Sequence, residues 1–203
     1  MFKNYIPNVL QASSLKTPIY ALCDYETLLK KNITLEEFVT LCQKLNVTLI
    51  QYRDKISDAS FQIEQLNYLT SHTNIPIIIN DKIELIEHAH GLHLGQEDLE
   101  KFYKNDKKVA IQLIRKKIKD KILGLSTHNE IEILQANEWA LDYIGLGAYK
   151  TTTTKDVSTV LGEKISYLAK ISKHPVCAIG GVSIEDKIKN IAFNVIGSGL
   201  YCD

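Results

Sequence analysis

The sequence has no excess of either charge and no long apolar run. Its 203 residues include 24 basic and 24 acidic side chains. A neutral chain produces no broad electrostatic field for a nucleic acid or an anionic membrane, so any anion site has to be built locally. No apolar stretch approaches the roughly 20 residues that a membrane-spanning helix needs. We therefore expect small-molecule substrates, no nucleic-acid partner and no membrane span. The sequence leaves monomer and homo-oligomer open.

Cysteine is scarce, and the four cysteines lack the paired spacing of a metal site. Cys23 and Cys177 lie in apolar, strand-like runs, so core packing is their expected role. The N-terminus lacks the charged region, apolar core and cleavage site of a secretory signal. We therefore expect reduced thiols and a cytoplasmic protein.

Short β-type runs alternate along the chain with longer amphipathic runs. The predicted strands occupy residues 18–24, 47–53, 76–81, 91–95, 121–126, 142–147, 175–181 and 194–200. Runs with helical spacing occupy residues 35–45, 58–71, 109–113, 129–139, 161–171 and 184–191. A short helical stretch is also expected after Asp81, and Asp58 is the expected cap of the 58–71 helix.

The predicted strands are almost continuously apolar, which indicates a parallel sheet buried on both faces. Eight such units predict an α/β fold, a compact (β/α)8 TIM barrel formed by residues 1–203 as a single domain. An open doubly wound sheet is the alternative, but it requires a glycine-rich fingerprint after the first strand. The segment Asp24-Tyr-Glu-Thr27 has none, and no Gly-Lys-Ser/Thr phosphate loop occurs.

The last predicted strand ends close to residue 203. We therefore expect the barrel to lack its last outer helix. Residues 1–17 form an N-terminal extension before the first strand, and we expect this extension to cover the resulting gap.

Polar residues cluster where the predicted strands end, which is where barrel enzymes place their catalytic groups. The positions are Asp24, Gln51, Arg53, Lys55, Asn80, Asp81, Gln96, Glu97, Asp98, Ser126, His128, Thr152, Thr154, Lys155, Gly180, Gly181, Gly197 and Ser198. Carboxylates beside an arginine and two lysines indicate a magnesium-bridged polyphosphate site. Glycine turns after the last two strands expose backbone N–H groups that suit a second phosphate.

Simpler structural roles exist for several of these residues. Arg53 and Lys55 are also typical of surface ion pairs, and Asn80-Asp81 of a turn. Asp98 is equally suited to cap the helix after the fourth strand. His93 lies inside a strand, which favours packing.

The loop after the sixth predicted strand is crowded with hydroxyl groups. It reads Gly147-Ala-Tyr-Lys150 and continues through four threonines to Lys155. Small residues let a ligand approach the backbone, threonines offer neutral hydrogen bonds, and lysine adds a mobile positive charge. This combination is suited to a phosphate ester.

Six of these motifs together resemble the thiamine phosphate synthase family in order and approximate spacing. They are Gln51-Tyr-Arg-Asp-Lys55, Asn80-Asp81, His93-Leu-Gly-Gln-Glu-Asp98, Gly124-Leu-Ser-Thr-His128, Thr152-Thr-Thr-Lys155 and Ala178-Ile-Gly-Gly181. The resemblance extends from the second strand to the C-terminus. It implies a transferase of thiamine biosynthesis with a magnesium ion.

The resemblance also implies a role for each matched residue. Those implied to bind the pyrimidine diphosphate substrate are Gln51, Arg53, Lys55, Asn80, Ser126 and Lys155, of which Arg53, Lys55, Ser126 and Lys155 are the catalytic group. Asp81 and Asp98 are the implied Mg²⁺ ligands. Those implied to bind the thiazole phosphate are Thr152, Thr154, Gly181, Gly197 and Ser198.

A departure from the family pattern, and two other functions of related barrels, leave alternatives open. The family usually has Gly-Pro where this chain has Gly147-Ala-Tyr-Lys150, which adds a charge to the loop. A thiazole tautomerase of the same superfamily would use His128 as its proton carrier and has less use for Asp81 and Asp98. A non-catalytic barrel that binds thiazole phosphate or thiamine phosphate is the third hypothesis.

Overall fold

The computed structural model describes residues 4–13, 16–104, 106–151 and 160–201. Eight parallel strands pair in chain order, and β1 also pairs with β8, so the sheet closes into a barrel. The strands are β1 (Ile19–Asp24), β2 (Leu49–Arg53), β3 (Ile77–Asn80), β4 (Gly91–Leu94), β5 (Ile122–Thr127), β6 (Tyr143–Leu146), β7 (Val176–Ala178) and β8 (Phe193–Ile196). The predicted TIM barrel is confirmed, and the open-sheet alternative is wrong.

Helices form most of the connections between the strands. They are α1 (Tyr5–Ala12), α2 (Tyr25–Lys31), α3 (Leu35–Lys44), α4 (Ala59–His72), α5 (Gln96–Phe102), α6 (Lys107–Ile118), α7 (Glu130–Ala136) and α8 (Lys164–Ile171), with 3₁₀ helices at Ile83–His88 and Ser198–Tyr201. Asp58 caps α4 as predicted, because its carboxylate accepts a hydrogen bond from the Phe61 N–H at 2.9 Å. No helix among the described residues is long and apolar enough to cross a membrane.

The apolar core has two parts. The larger part lies between the outer faces of the strands and the helices, and it includes Ala21 and Cys23 of β1. The smaller part lies inside the barrel and includes Tyr20 of β1 and Tyr143 of β6. This division follows from the strand period of two, which sends alternate side chains to opposite faces of the sheet.

Helix α1 closes the N-terminal end of the barrel. Ile6 is 2% exposed and packs in the interior cluster, and the Tyr5 hydroxyl donates to the Thr48 carbonyl oxygen at 2.6 Å. Burying an isoleucine side chain stabilises the fold by about 2 kcal/mol. The expectation that this segment covers the gap beside the last strand is wrong. Its described helix packs instead against the interior apolar cluster at the N-terminal end of the barrel.

The outer layer has no α-helix after β7 or β8 within residues 160–201. The missing last helix was predicted, but the helix predicted at 184–191 is wrong. That segment is an irregular loop held by side chains. Asn194 donates to the carbonyl oxygens of Ser183 and Asp186 at 3.3 and 2.9 Å, and the Asp186 carboxylate accepts from the Ser183 N–H at 2.8 Å.

Candidate active site

Arg53 lies at the C-terminal rim, which comprises the C-terminal ends of the eight strands and the loops after them. The pairing of β1 with β2 places Arg53 beside Asp24, and the two side chains form an ion pair. Asp24 is buried and also caps α2 by accepting hydrogen bonds from the Thr27 N–H and hydroxyl at 3.1 and 2.6 Å. The acidic partner of Arg53 is therefore a buried strand-end carboxylate that orients the guanidinium, and not a surface acid.

Asp81 and Asp98 lie together at the same rim. Asp81 follows β3 with a φ of 62°, and its backbone N–H donates to the His93 carbonyl oxygen at 2.9 Å. Asp98 lies in the first turn of α5, and its carboxylate accepts from the Gly95 N–H at 3.0 Å. Asp98 therefore caps its helix, as one reading of the sequence expected. This role leaves its carboxylate within hydrogen-bonding reach of Asp81.

The two carboxylates perturb each other. Burial and the neighbouring Asp98 raise the pKa of Asp81 to about 6. Lys55 and the Asn80 amide, which donates to Asp81 Oδ2 at 2.6 Å, act in the opposite direction. Burial acts to raise the pKa of Asp98 too, but hydrogen bonds from Lys101 and Asp81 outweigh it and lower that pKa. The rim thus holds a pair of repelling carboxylates beside a lysine.

This pair fits a magnesium ion. No cluster of three or more His, Cys, Asp and Glu side chains that would enclose a metal exists among the residues the structure describes. Mg²⁺ does not require one, since it is typically held by one or two carboxylates, water and substrate phosphates. A divalent cation would also relieve the repulsion that raises the pKa of Asp81. Asp81 and Asp98 are therefore suitable ligands in number and type.

Gln51 and Ser126 lie inside the barrel near its rim. Gln51 is buried in β2 and donates from Nε2 to the Tyr20 hydroxyl at 2.9 Å. Ser126 Oγ lies 2.9 Å from His93 Nε2. Burial lowers the pKa of His93 to about 4, with Asp98 acting in the opposite direction. His93 is packed inside the barrel as predicted, and its ring is neutral at neutral pH.

The loop after β6 packs tightly on the glycine turn after β7. The N–H groups of Tyr149 and Lys150 donate to the carbonyl oxygens of Ile179 and Gly180 at 2.9 and 2.8 Å. The Lys150 ammonium pairs with both oxygens of Asp186, at 3.0 and 2.9 Å. The charge that distinguishes this loop from the family pattern is therefore balanced by the neighbouring loop.

Gly180 allows this close approach. Its φ is +88°, and a Cβ there would lie 2.5 Å from the Ala148 Cβ. We expect Gly180→Ala to lower the free energy of unfolding by about 2 kcal/mol or more, because strain and overlap act together. Gly197→Ala is the matched control, since a Cβ there would first meet Leu22 at 3.5 Å, an ordinary contact. Urea unfolding of both variants measures the difference, and equal stabilities would contradict the packing described here.

The predicted thiazole-phosphate residues divide between described and undescribed parts of the chain. Gly181, Gly197 and Ser198 lie at the rim after β7 and β8, with Gly181 at a φ of +65° and Ser198 beginning a 3₁₀ turn. The threonines at 152 and 154 and Lys155 lie outside the described residues. The structure thus places three of the predicted residues at the rim, and the thiazole-phosphate site itself stays a prediction.

His128 occupies a different environment from the residues above. It is exposed, its Nδ1 lies 3.0 Å from Glu132 Oε2, and its backbone N–H donates to the same oxygen at 2.8 Å. These contacts are typical of a residue at the start of a helix. They give His128 a structural role at the beginning of α7.

Known proteins match the chain over most of its length. The thiamine-phosphate synthase of Lawsonia intracellularis (strain PHE/MN1-00) is 34% identical over 204 residues, which cover 96% of this chain and 85% of that protein. The thiamine-phosphate synthase of Clostridium botulinum (strain Eklund 17B / Type B) is 39% identical over 191 residues, covering 90% and 83%. The family model described as thiamine monophosphate synthase matches residues 19–197.

The chain belongs to the thiamine monophosphate synthase family. The resemblance inferred from the six motifs is confirmed.

Solved structures agree with the barrel of this family. Thiamine phosphate pyrophosphorylase from Pyrococcus furiosus aligns with a TM-score of 0.69 at 21% identity, over 90% of this chain and 88% of that one. Wild-type GGGPS from Thermoplasma volcanium aligns with a TM-score of 0.64 at 14% identity, over 98% and 90%. Likeness at these identities shows the fold alone.

Sequence reasoning missed three residues that support the proposed site of this family member. Asp24 appeared only as a polar strand end, and its pairing with Arg53 depends on strand register. Tyr20 and Tyr143 read as ordinary strand apolar residues, yet their hydroxyls meet inside the barrel at 2.8 Å. A tyrosine in place of an aliphatic residue in a buried strand was the available signal, since a buried hydroxyl needs a partner.

Proposed function

We propose that the chain is a magnesium-dependent thiamine-phosphate synthase. This transferase condenses 4-amino-2-methyl-5-hydroxymethylpyrimidine diphosphate with thiazole phosphate to give thiamine phosphate and pyrophosphate. The observation that supports the proposal best is the adjacent Asp81 and Asp98 carboxylates beside Lys55, at the same rim as the oriented Arg53. This is the chemistry a diphosphate with a divalent cation requires.

The rim residues stabilise a departing pyrophosphate. As the bond between the pyrimidine methylene carbon and the diphosphate breaks, negative charge gathers on the leaving oxygens. Arg53, Lys55 and Lys155 therefore bind the transition state more strongly than the ground state. Held by Asp81 and Asp98, Mg²⁺ would add Lewis-acid stabilisation of the same charge.

We assign the other substrate to the turns after β7 and β8. Backbone N–H groups of the turns at Gly181, Gly197 and Ser198, with the threonines at 152 and 154, receive the thiazole phosphate. The thiazole nitrogen then captures the pyrimidine carbocation, so the protein has to orient two substrates and exclude water.

No covalent nucleophile is needed, and Cys23 and Cys177 do not supply one. Cys23 and Cys177 are buried free thiols, and burial raises the pKa of each well above its ordinary value. Buried thiols of raised pKa are poor nucleophiles. Unpaired thiols also support the proposed cytoplasmic location.

The His128→Ala variant distinguishes the synthase from the tautomerase. We expect condensation to fall by less than about threefold, because the hydrogen bonds described for His128 are with Glu132 at the start of a helix, where such contacts contribute little. Thiamine phosphate formation is measured beside isomerisation of the thiazole carboxylate phosphate. An isomerase activity in the unsubstituted chain that disappears in His128→Ala, with no condensation in either, would replace the proposal with the tautomerase.

A further inference from the structure

A chain of hydrogen bonds crosses the inside of the barrel from β2 to β5. Gln51 Nε2 donates to the Tyr20 hydroxyl at 2.9 Å, and that hydroxyl lies 2.8 Å from the hydroxyl of Tyr143. The Tyr143 hydroxyl lies 3.0 Å from His93 Nδ1, and His93 Nε2 lies 2.9 Å from Ser126 Oγ. We call these five residues the interior hydrogen-bond chain. Its two ends are proposed substrate-binding residues, whereas its three middle members have no role in the reaction described above.

The middle members are held rigidly. Tyr20 and Tyr143 are 1% and 0% exposed, and His93 is 8% exposed. The Tyr143 ring meets Tyr20 edge to face with centroids 5.8 Å apart, and it stacks on His93 at 5.5 Å. Gly124 provides the space for Tyr143, because a Cβ there would lie 2.1 Å from the ring Cζ. Such tightly packed rings keep their hydroxyl and imidazole groups in one geometry.

The Gln51 end assigns a direction to the chain, because the three remaining contacts admit either group as the donor and a buried hydroxyl needs a partner for its hydrogen. The Tyr20 oxygen accepts from Gln51 Nε2, so the Tyr20 hydroxyl hydrogen points on to Tyr143. A Tyr143 oxygen that accepts from Tyr20 leaves the Tyr143 hydrogen to be donated to His93 Nδ1, which lies 3.0 Å away. A neutral imidazole with an accepting Nδ1 has its proton on Nε2 and donates from there to Ser126 Oγ.

This direction decides what Ser126 offers to a ligand. A serine hydroxyl has one hydrogen and two lone pairs, and one lone pair accepts the His93 hydrogen. The hydroxyl hydrogen is then left to donate to another group. Phosphate oxygens accept hydrogen bonds and do not donate them when ionised, so a committed donor suits a diphosphate that gains charge as it leaves.

We propose that Tyr20, Tyr143 and His93 are positioning residues that fix Ser126 as a hydrogen-bond donor to the phosphate oxygens of the pyrimidine substrate, an inference that rests on the proposed function. The three residues act through Ser126 and do not touch the reacting atoms. Breaking the chain leaves the serine hydroxyl in place but frees it to rotate and to donate to the imidazole instead.

A double-mutant cycle tests this role. Tyr143→Phe is expected to lower kcat by about 10- to 100-fold, with KM for thiazole phosphate changed by less than about twofold. In a Ser126→Ala background, the same substitution is expected to change kcat by less than about twofold, because the group on which it acts is gone. A purely structural role for Tyr143 would lower kcat by the same factor in both backgrounds.

Two further variants complete the experiment. Tyr5→Phe is the matched control, because it removes a tyrosine hydrogen bond at the opposite end of the barrel, and we expect it to retain the unsubstituted kcat. Tyr20→Phe breaks the chain one link earlier and takes the place of Tyr143→Phe if that variant does not fold. An unchanged kcat in the tyrosine variant, or equal losses in both backgrounds, overturns the proposal. Absence of thiamine phosphate from the unsubstituted chain would instead overturn the proposed function, and the role of Ser126 with it.

Discussion

Asp81→Asn is expected to lower kcat for thiamine phosphate formation by at least about 100-fold, because it removes one charge from the carboxylate pair that we propose holds Mg²⁺. The fold should survive the change. Asparagine tolerates the positive φ of 62° found at this position. The substitution also removes the repulsion from Asp98 that contributes to raising the pKa of Asp81.

The raised pKa of Asp81 determines whether Asp81→Asn stabilises or destabilises the metal-free protein. A carboxyl group whose pKa rises from 3.8 to about 6 on folding stabilises the metal-free protein most below pH 3.8, and this contribution is lost as the pH rises through about 6. At pH 7 the Asn variant lacks the unfavourable charge. We therefore expect its metal-free Tm to equal or exceed that of the unsubstituted chain.

The control is Glu84→Gln, which removes an exposed carboxylate from the 3₁₀ helix just after Asp81. It should leave both kcat and the Mg²⁺ requirement unchanged. Calorimetric titration with Mg²⁺ and a saturating diphosphate substrate gives a readout independent of turnover, and Asp81→Asn should weaken the binding. A kcat of Asp81→Asn equal to that of the unsubstituted chain would refute the assignment of Asp81 as a metal ligand.

Arg53→Met is expected to lower kcat/KM for the pyrimidine diphosphate by about 100-fold, since it removes the cation that Asp24 orients toward the rim. Arg53→Lys should recover only part of this loss. A lysine retains the charge but lacks the planar group that pairs with Asp24 and with phosphate oxygens at the same time. Steady-state kinetics of both variants measure the difference.

Arg115, the only other arginine in the sequence, provides a matched control. It pairs with Asp142 and donates to the carbonyl oxygens of Ala140 and Lys121, at 2.6 and 2.8 Å, below the β5 and β6 strands. Arg115→Met should therefore lower the unfolding midpoint and leave kcat/KM of the folded enzyme unchanged. Equal kinetic losses in Arg53→Met and Arg115→Met would show that the Arg53 effect is structural.

The sequence predicted the positions of the rim residues but not their contacts. A strand can be predicted from a local apolar run, and its last residue then lies at the rim of a parallel barrel, as Arg53 and Asn80 do. Pairings between strands depend on register, which a single sequence does not specify. Tyr20 and Tyr143 are 123 positions apart, and only closure of the barrel brings their hydroxyls together.

The two fold predictions that were wrong have related causes. Residues 184–191 have helical spacing of isoleucines, but Asn194 and Asp186 hold the backbone there in a loop. The apolar residues of 1–17 were expected beside the last strand, whereas the open bottom of the barrel offers Ile6 an enclosed apolar site. In both cases tertiary contacts override a pattern that is locally correct.

Lys150, beside the proposed site, is another residue whose tertiary contact the sequence pattern did not predict. Relative to the family pattern, Lys150 adds a positive charge to a loop that is expected to bind phosphate. Its pairing with Asp186 on the next loop neutralises that charge and joins the two loops that follow β6 and β7. The departure from the family pattern is therefore compensated within the described structure.

The most direct measurement of the central claim is the product balance of the purified chain supplied with both substrates and Mg²⁺. We expect thiamine phosphate and pyrophosphate to appear in equal amounts, and both to be lost when the magnesium is chelated. The absence of both products at saturating substrate concentrations would contradict the account.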